Sequence, residues 1–479
     1  MATISRHPVG APPQAPLRES TRRLLLRAHA IFVLFTFFAL PFWNHLLGTM
    51  GAAGVVILMT LGTLGWWIPL LVAQHKTNPF PWRRLPWTAL GFVLWATISI
   101  TWSAWPGSSA LTVTGLLIVT LHALFLVHVL SWRELMRVIA SALKWVVGLS
   151  LVFELFVSLV IQHPVFPFFV EPPEGKVDPQ WYWSRNNLFD FDGRIQGILG
   201  NANLLGILCL IAIVVFTIRV LSNAPRRSWQ IAWIIVAAYL MYRAGSATVF
   251  MCAAGMVAVL VCVLVMRRTT KPSQRSLAYF VFAGVGSTAA LLLLVFRDTV
   301  FGLLGRSDNL TGRADIWAAI GERIAQRPVV GWGHASPWPP FDTEISAGLV
   351  DHGQVVMQAH NMWIDVIYQL GWIGCAILIV ALLALIWRAW FFAVDRPRWD
   401  LDAKRPFAVI SIFPVLMVAL LLVQGITESA PLMLWGWLMI VMLSFKIKSA
   451  PIVGVGTAEQ SAALELGDAP PTRRHLTHR

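Results

Sequence analysis

Residues 306–374 read RSDNLTGRADIWAAIGERIAQRPVVGWGHASPWPPFDTEISAGLVDHGQVVMQAHNMWIDVIYQLGWIG. The first part is polar: Arg306, Arg313, Arg323, Arg327, His334, His352 and His360 alternate with Asp308, Asp315, Glu322, Glu344 and Asp351. At His360-Asn361 it passes directly into an apolar run that continues to about residue 387. About 20 apolar residues suffice to cross a bilayer as a helix. A charged loop held at the mouth of such a run is where chemistry on a membrane surface is expected. The rest of the chain has to supply what faces it.

Outward from this stretch the chain is apolar. Of its 479 residues, 57% are hydrophobic and 13% charged, with mean hydropathy +0.68. A soluble domain carries about 25% charged residues, so the composition is that of an integral membrane protein. The 24 tryptophans suit interfacial aromatic belts. A net charge of +14 follows from basic loops on the cytoplasmic side. No basic stripe interleaved with aromatics is present, which argues against a nucleic-acid partner. Cys209, Cys252, Cys262 and Cys375 lie in apolar runs, as small hydrophobes and not as a disulfide framework.

Hydropathy predicts an all-α polytopic protein of about twelve spans, near 28–47, 51–73, 87–104, 109–131, 138–162, 197–218, 229–243, 246–266, 277–296, 361–387, 406–424 and 430–446. The membrane domain is expected over 28–447, between a disordered basic tail at 1–27 and a disordered tail at 448–479. The first span reads as a retained anchor, because no small-residue cleavage site follows a short apolar core. With both termini cytoplasmic, 27 Lys and Arg fall on the inner side and 9 on the outer, with Lys144 inside a span. That asymmetry supports the orientation. No internal repeat is visible.

The nine outer basic residues, eight of them arginine, gather in three places. The first is loop 163–196, which ends in Arg194 and leads into GILGNANLLG. There Asn201 and Asn203 bring amides to membrane depth, and the glycines serve either close backbone approach or helix packing. The second is Arg243, in a turn too short to reach far into water; it needs an anionic partner or snorkels to lipid headgroups. Ser246 and Thr248 open the following helix, whose N-terminus favours an anion. The third is loop 297–360. Thr311-Gly312-Arg313 precedes DIWAAIGERIAQ, expected to be a short helix on the membrane surface. Trp317, Ile320 and Ile324 would form its apolar side, with Arg323 and Arg327 turned away. His360 and Asn361 then cap the next span, where a histidine serves either as a cap or as a base. Glu428, in the outer turn GITESAP, adds a carboxylate. No HExxH or CxxC pattern occurs, and no metal site is expected.

Arginine forks match phosphate oxygens bidentately and stay charged at all relevant pH. A diphosphate at headgroup level is their natural ligand. A neutral histidine can accept a proton from an acceptor hydroxyl. Transfer of a sugar from a lipid-linked diphosphate needs both functions. A transporter or flippase for a lipid-linked glycan is the alternative, but its ionisable groups belong near the membrane midplane, where this chain has only His122, Lys144 and Glu154.

The three motifs GILGNANLLG after Arg194, LTGRADIW with RPVVGWG, and HNMWIDVIYQLGWIG resemble the O-antigen ligase and Wzy-type polysaccharide polymerase superfamily, including its exopolysaccharide polymerases, over about residues 190–380. The resemblance implies a glycosyltransferase of the bacterial inner membrane, working at the extracytoplasmic face. It would move a glycan from an undecaprenyl diphosphate carrier to a glycan or lipid acceptor, with no metal, nucleotide sugar or other cofactor. By motif position His360 would be the base. Arg194, Arg243 and Arg313 would bind the diphosphate, with Asn201, Asn203, Asn361 and Arg306 in support. Around Arg243 the family's Ser-Arg order is altered to Arg-Ala-Gly-Ser, which affects the partner of this arginine and not its charge.

Overall fold

A computed structural model describes residues 21–76, 79–170, 177, 179–296, 307–342, 350–351, 354–395 and 407–449. Arg306 and most of both tails lie outside them. Thirteen α-helices occur among the described residues: α1 Thr21–Phe38, α2 Leu40–Gln74, α3 Trp87–Ile98, α4 Pro106–Val129, α5 Trp132–Phe156, α6 Ala202–Leu221, α7 Arg227–Ala244, α8 Ala247–Arg268, α9 Pro272–Val295, α10 Ser307–Gln326, α11 Met362–Val394, α12 Phe413–Thr427 and α13 Leu434–Ser449. The only strands among these residues are Val350–Asp351 and Gln354–Val355, paired antiparallel. The chain is an all-α polytopic membrane protein.

A helix lies at each of the twelve expected span positions. Eight helical stretches are long and apolar enough to cross a bilayer, and Trp87–Trp102 is a shorter apolar one. The ends differ from expectation where local chemistry decides them. The tail expected to reach residue 27 stops sooner, because α1 begins at Thr21; there Arg23 pairs with Glu134 of α5 at 2.5 Å. α5 opens six residues before its expected start, where Ser131 and Glu134 form a capping box. α6 starts late, after a tight 3-10 turn at Gly197–Leu199, and Asn201 caps it by accepting from Leu204 N.

The bundle is centred on α13, whose residues from Trp435 to Ile447 are all buried. It packs on α1, α3, α4, α11 and α12. Trp437 donates to Thr120 of α4 at 3.0 Å, and Lys446 donates to the Leu130 carbonyl at 2.7 Å. α6 and α7 form a tight hairpin, and α12 lies along α8.

α11 is interrupted. At Gly371 the backbone takes φ 66 and ψ −174, a left-handed conformation natural to glycine. The hydrogen bonds lost there are made with the RPVVGWG segment. Trp332 N and Gly333 N donate to the carbonyls of Tyr368 and Gln369 at 3.0 and 2.8 Å. In return Trp372 N and Ile373 N donate to the carbonyls of Pro328 and Val329 at 2.9 and 3.3 Å. Irregular backbone at membrane depth is tolerated when protein satisfies it in this way.

Two expectations about the third polar stretch are corrected. The helix is longer than DIWAAIGERIAQ: α10 begins at Ser307, so Thr311-Gly312-Arg313 lies inside it. Its apolar side packs on protein, with Ile316 and Ile320 buried against Trp105, Ala335, Trp338 and Tyr368. Arg323 is not turned away. It is 8% exposed and makes a two-pronged ion pair with Asp342 at 3.2 and 3.3 Å. Its guanidinium also lies 4.7 Å from the Trp332 ring centre. Burial among aromatics makes the carboxylate partner and the ring faces its substitute for water.

Candidate active site

Four elements converge at one end of the bundle: the start of α6, the start of α10, the junction before α11 and the end of α12. The junction fixes His360 from both sides. On one side, Trp317 of α10 donates to the Ala359 carbonyl at 2.8 Å, and Ala359 N donates to Asp365 Oδ2 at 3.3 Å. On the other, Asn361 caps α11 by accepting from Trp363 N and Ile364 N at 2.9 and 3.2 Å, and its amide donates to the Ile426 carbonyl at 3.0 Å. Between them His360 sits at φ 49. Left-handed backbone in a residue with a Cβ is held only by surroundings that over-determine it.

The imidazole faces Glu428, at the end of α12, with Nδ1 3.2 Å from Oε2. The other carboxylate oxygen, Oε1, accepts from Arg313 Nη2 at 3.4 Å and from Asn203 Nδ2 at 3.3 Å. Arg313 also donates to the Thr427 carbonyl at 3.0 Å. Arg194 joins from the far side, donating to Asn203 Oδ1 at 2.7 Å and to the Ala244 carbonyl at 2.8 Å. Arg194, Asn203, Glu428, Arg313 and His360 thus form one connected set. The His360 side chain is 31% exposed and that of Glu428 11%, so the carboxylate is the sheltered hub and the imidazole reaches outward.

Arg243 is placed differently. It is 4% exposed and its hydrogen-bond partners are backbone carbonyls: its guanidinium donates to those of Asn187, Leu188, Asp190 and Phe191, and it stacks 4.5 Å from the Phe191 ring centre. Its own carbonyl accepts from Ile195 N at 3.2 Å. Arg243 therefore holds loop 187–195, and through it Arg194, from behind. Glu154 of α5 holds the same loop from below. It accepts from Ser184 Oγ at 2.8 Å and from the backbone N–H groups of Gln196 and Gly197 at 3.1 and 2.7 Å. Of the expected supporting residues, Asn203 bridges Arg194 to Glu428, whereas Asn201 and Asn361 are spent as helix caps.

A second, buried layer lies behind the hub. Asp365 accepts from Ser429 Oγ and from Gln369 Nε2. Next to it opens a cavity of about 520 Å³ between α4, α13 and residues 334–341. Its walls are apolar, with Leu111, Pro337, Phe341, Met433 and Trp437, and its inner end carries His334, Asp365, Gln369 and Ser429. Burial drives the His334 imidazole down to about 4. Sequence reading noted Glu428 only as a spare carboxylate and passed over Asp365. The available signal was an acid at the start of one apolar run and another at the end of a second, where a charge is costly without a purpose. No group of three or more His, Cys, Asp or Glu placed to hold a metal occurs among the described residues.

Fold and site define a polytopic membrane protein with a paired histidine and carboxylate, flanked by arginines, at one end of its bundle. Comparison with known proteins places it further. Residues 231–379 match the family model described as O-Antigen ligase, a stretch that includes Arg243, Arg313 and His360. The chain is also similar to the exopolysaccharide production protein ExoQ of Rhizobium meliloti (strain 1021), at 24% identity over 333 residues, 67% of this chain and 69% of that protein. The resemblance to the O-antigen ligase and Wzy-type superfamily is borne out by both.

Proposed function

We propose that this protein is a membrane glycosyltransferase that moves a glycan from a polyprenyl diphosphate carrier to a hydroxyl of a glycan or lipid acceptor, at the extracytoplasmic face of the bacterial inner membrane. The O-antigen ligase match and the similarity to an exopolysaccharide production protein support a membrane enzyme of polysaccharide assembly. One observation carries the finer reading: Glu428 joins His360, Arg313 and Asn203 in a single cluster.

The geometry supports the following roles. Glu428 accepting from His360 Nδ1–H leaves the lone pair on Nε2, the arrangement a general base requires. The acceptor hydroxyl attacks the anomeric carbon and its proton passes to Nε2. The bond from that carbon to the diphosphate oxygen breaks, and the polyprenyl diphosphate leaves with the electron pair. Arg313 and Arg194, on the same cluster, would neutralise the leaving charge. A preorganised donor of this kind supplies about 3 kcal/mol of barrier lowering. Arg243 acts one layer back, by holding the loop that carries Arg194. The largely apolar cavity, whose lining includes Ser429, the residue after Glu428, suits the isoprenoid tail.

The test is transfer by purified protein in vesicles given a lipid-linked oligosaccharide and an acceptor. His360→Ala is expected to lower kcat at least a hundredfold with KM little changed, the usual weight of general base catalysis. Glu428→Gln is expected to lower kcat and to shift the pH profile, because the amide no longer fixes the proton on Nδ1. Full activity in His360→Ala would refute the assignment.

A further inference from the structure

At the other end of α5, α6 and α7 a second cavity opens, also of about 520 Å³. Its wall carries Arg133, Arg137, Lys144, Arg219 and Arg226, and no carboxylate among the described residues lines it. Arg226 and Arg243 stand at opposite ends of α7, about 25 Å apart at the helical rise per residue. This cavity is therefore remote from His360.

The cations stand in two tiers. Arg133, Arg137 and Arg226 are exposed at the rim, while Lys144 and Arg219 are half-buried. Lys144 lies two helical turns beyond Arg137 on α5, about 10 Å deeper. Its ammonium is 5.8 Å from the Phe216 ring centre. Arg219 donates to Gln230 Oε1 at 3.4 Å, and Gln230 is 2% exposed. The neighbouring acid on α5, Glu134, is already taken by Arg23 and by the Ser131 cap. The first turn of α7 also faces this region, and its cap residue Arg226 contributes no side-chain hydrogen bond to it, so its amides add partial positive charge.

The bias of basic residues toward one side of a membrane accounts for exposed arginines in loops. It does not account for a lysine two turns inside a span, nor for a concave wall of one sign. Like charges at this density repel, and holding them in a half-buried cleft is costly unless an anion is present for part of the working cycle. We infer that this cavity is a second site, which binds a ligand carrying at least two phosphate charges. That chemistry is offered by the headgroup of an anionic phospholipid, which Met136, Ile218 and Trp229 on the same wall would suit, and by a free polyphosphate.

The experiment uses full-length protein, delipidated in neutral detergent, with two probes: cardiolipin, followed by native mass spectrometry against phosphatidylcholine, and inorganic pyrophosphate, followed by calorimetry. One probe is expected to bind saturably at one per chain. Lys144→Gln with Arg219→Gln should weaken it at least tenfold, and so should the rim pair Arg133→Gln with Arg137→Gln, whose exposed positions leave folding intact. Cardiolipin without pyrophosphate identifies a lipid as the source, and pyrophosphate without cardiolipin a soluble anion. If neither probe binds the wild type, the inference is overturned. It is equally overturned if binding survives both pairs of substitutions, since the anion would then sit on Arg194 and Arg313.

Discussion

At the scale of single residues, the two kinds of arginine in this structure carry separable expectations. Arg313 and Arg194 reach the Glu428 cluster, whereas Arg243 spends its donors on four backbone carbonyls of one loop. Arg243→Ala leaves those four carbonyls without their donor and removes the stacking on Phe191. The cost is about 3 kcal/mol, the scale of losing charge-assisted hydrogen bonds in a sheltered site. The expected result is a lower thermal midpoint in detergent, with proteolysis beginning inside 187–195. Arg313→Lys should instead leave the midpoint within a degree or two and lose most transfer activity, because an ammonium lacks the two-pronged fork. Unfolding curves and single-turnover rates on the same preparations separate the two. If Arg243→Ala melted like the wild type, its role in holding the loop would be refuted.

At the scale of elements, the interruption of α11 is the feature most exposed to mutation. A Cβ placed on Gly371 would stand 2.1 Å from the Val329 carbonyl oxygen, and one on Gly331 would stand 2.5 Å from the Gln369 carbonyl carbon. Gly371→Ala is expected to cost about 3 kcal/mol through overpacking and left-handed strain, read as a fall in the thermal midpoint. Gly65→Ala, where a Cβ would meet nothing within 4 Å, is the control and should be neutral or slightly stabilising. The helices themselves were legible, since long apolar runs announce their own secondary structure, but the first expected span, 28–47, straddles the break between α1 and α2. Arg194 and His360 stand out in the sequence at the ends of apolar runs and Arg313 in the polar loop, and the structure brings the three into one cluster. What the sequence concealed was pairing. Nothing in residues 428 and 360 says that a carboxylate 68 positions away is the partner of the histidine. Nor does the short turn at Arg243 reveal that backbone carbonyls, which every residue carries, would satisfy it. The burial of Arg323 was hidden for the same reason: its partner Asp342 and its aromatic neighbours come from other segments.

At the scale of the whole molecule, one buried titration should be visible in stability. His334 is 5% exposed and is held down to about 4 from an ordinary 6.5. As pH falls below 6.5 the unfolded chain takes up a proton on His334 that the folded chain refuses, so the contribution of this group to folding stability declines through about pH 4, below which both states are protonated. The difference amounts to about 3 kcal/mol. Thermal midpoints between pH 7 and 4 should therefore fall more steeply for the wild type than for His334→Gln; parallel curves would show that another group sets the slope. The burial of α13 has a further consequence, for biogenesis. A ribosome delivers this chain from its N-terminus, yet the helix enclosed by α1, α3, α4, α11 and α12 is the last of those described. The earlier helices enter the lipid before the piece they surround exists. The bundle must stay parted until residue 449 has been made, so the packing of the earlier helices around α13 is completed last.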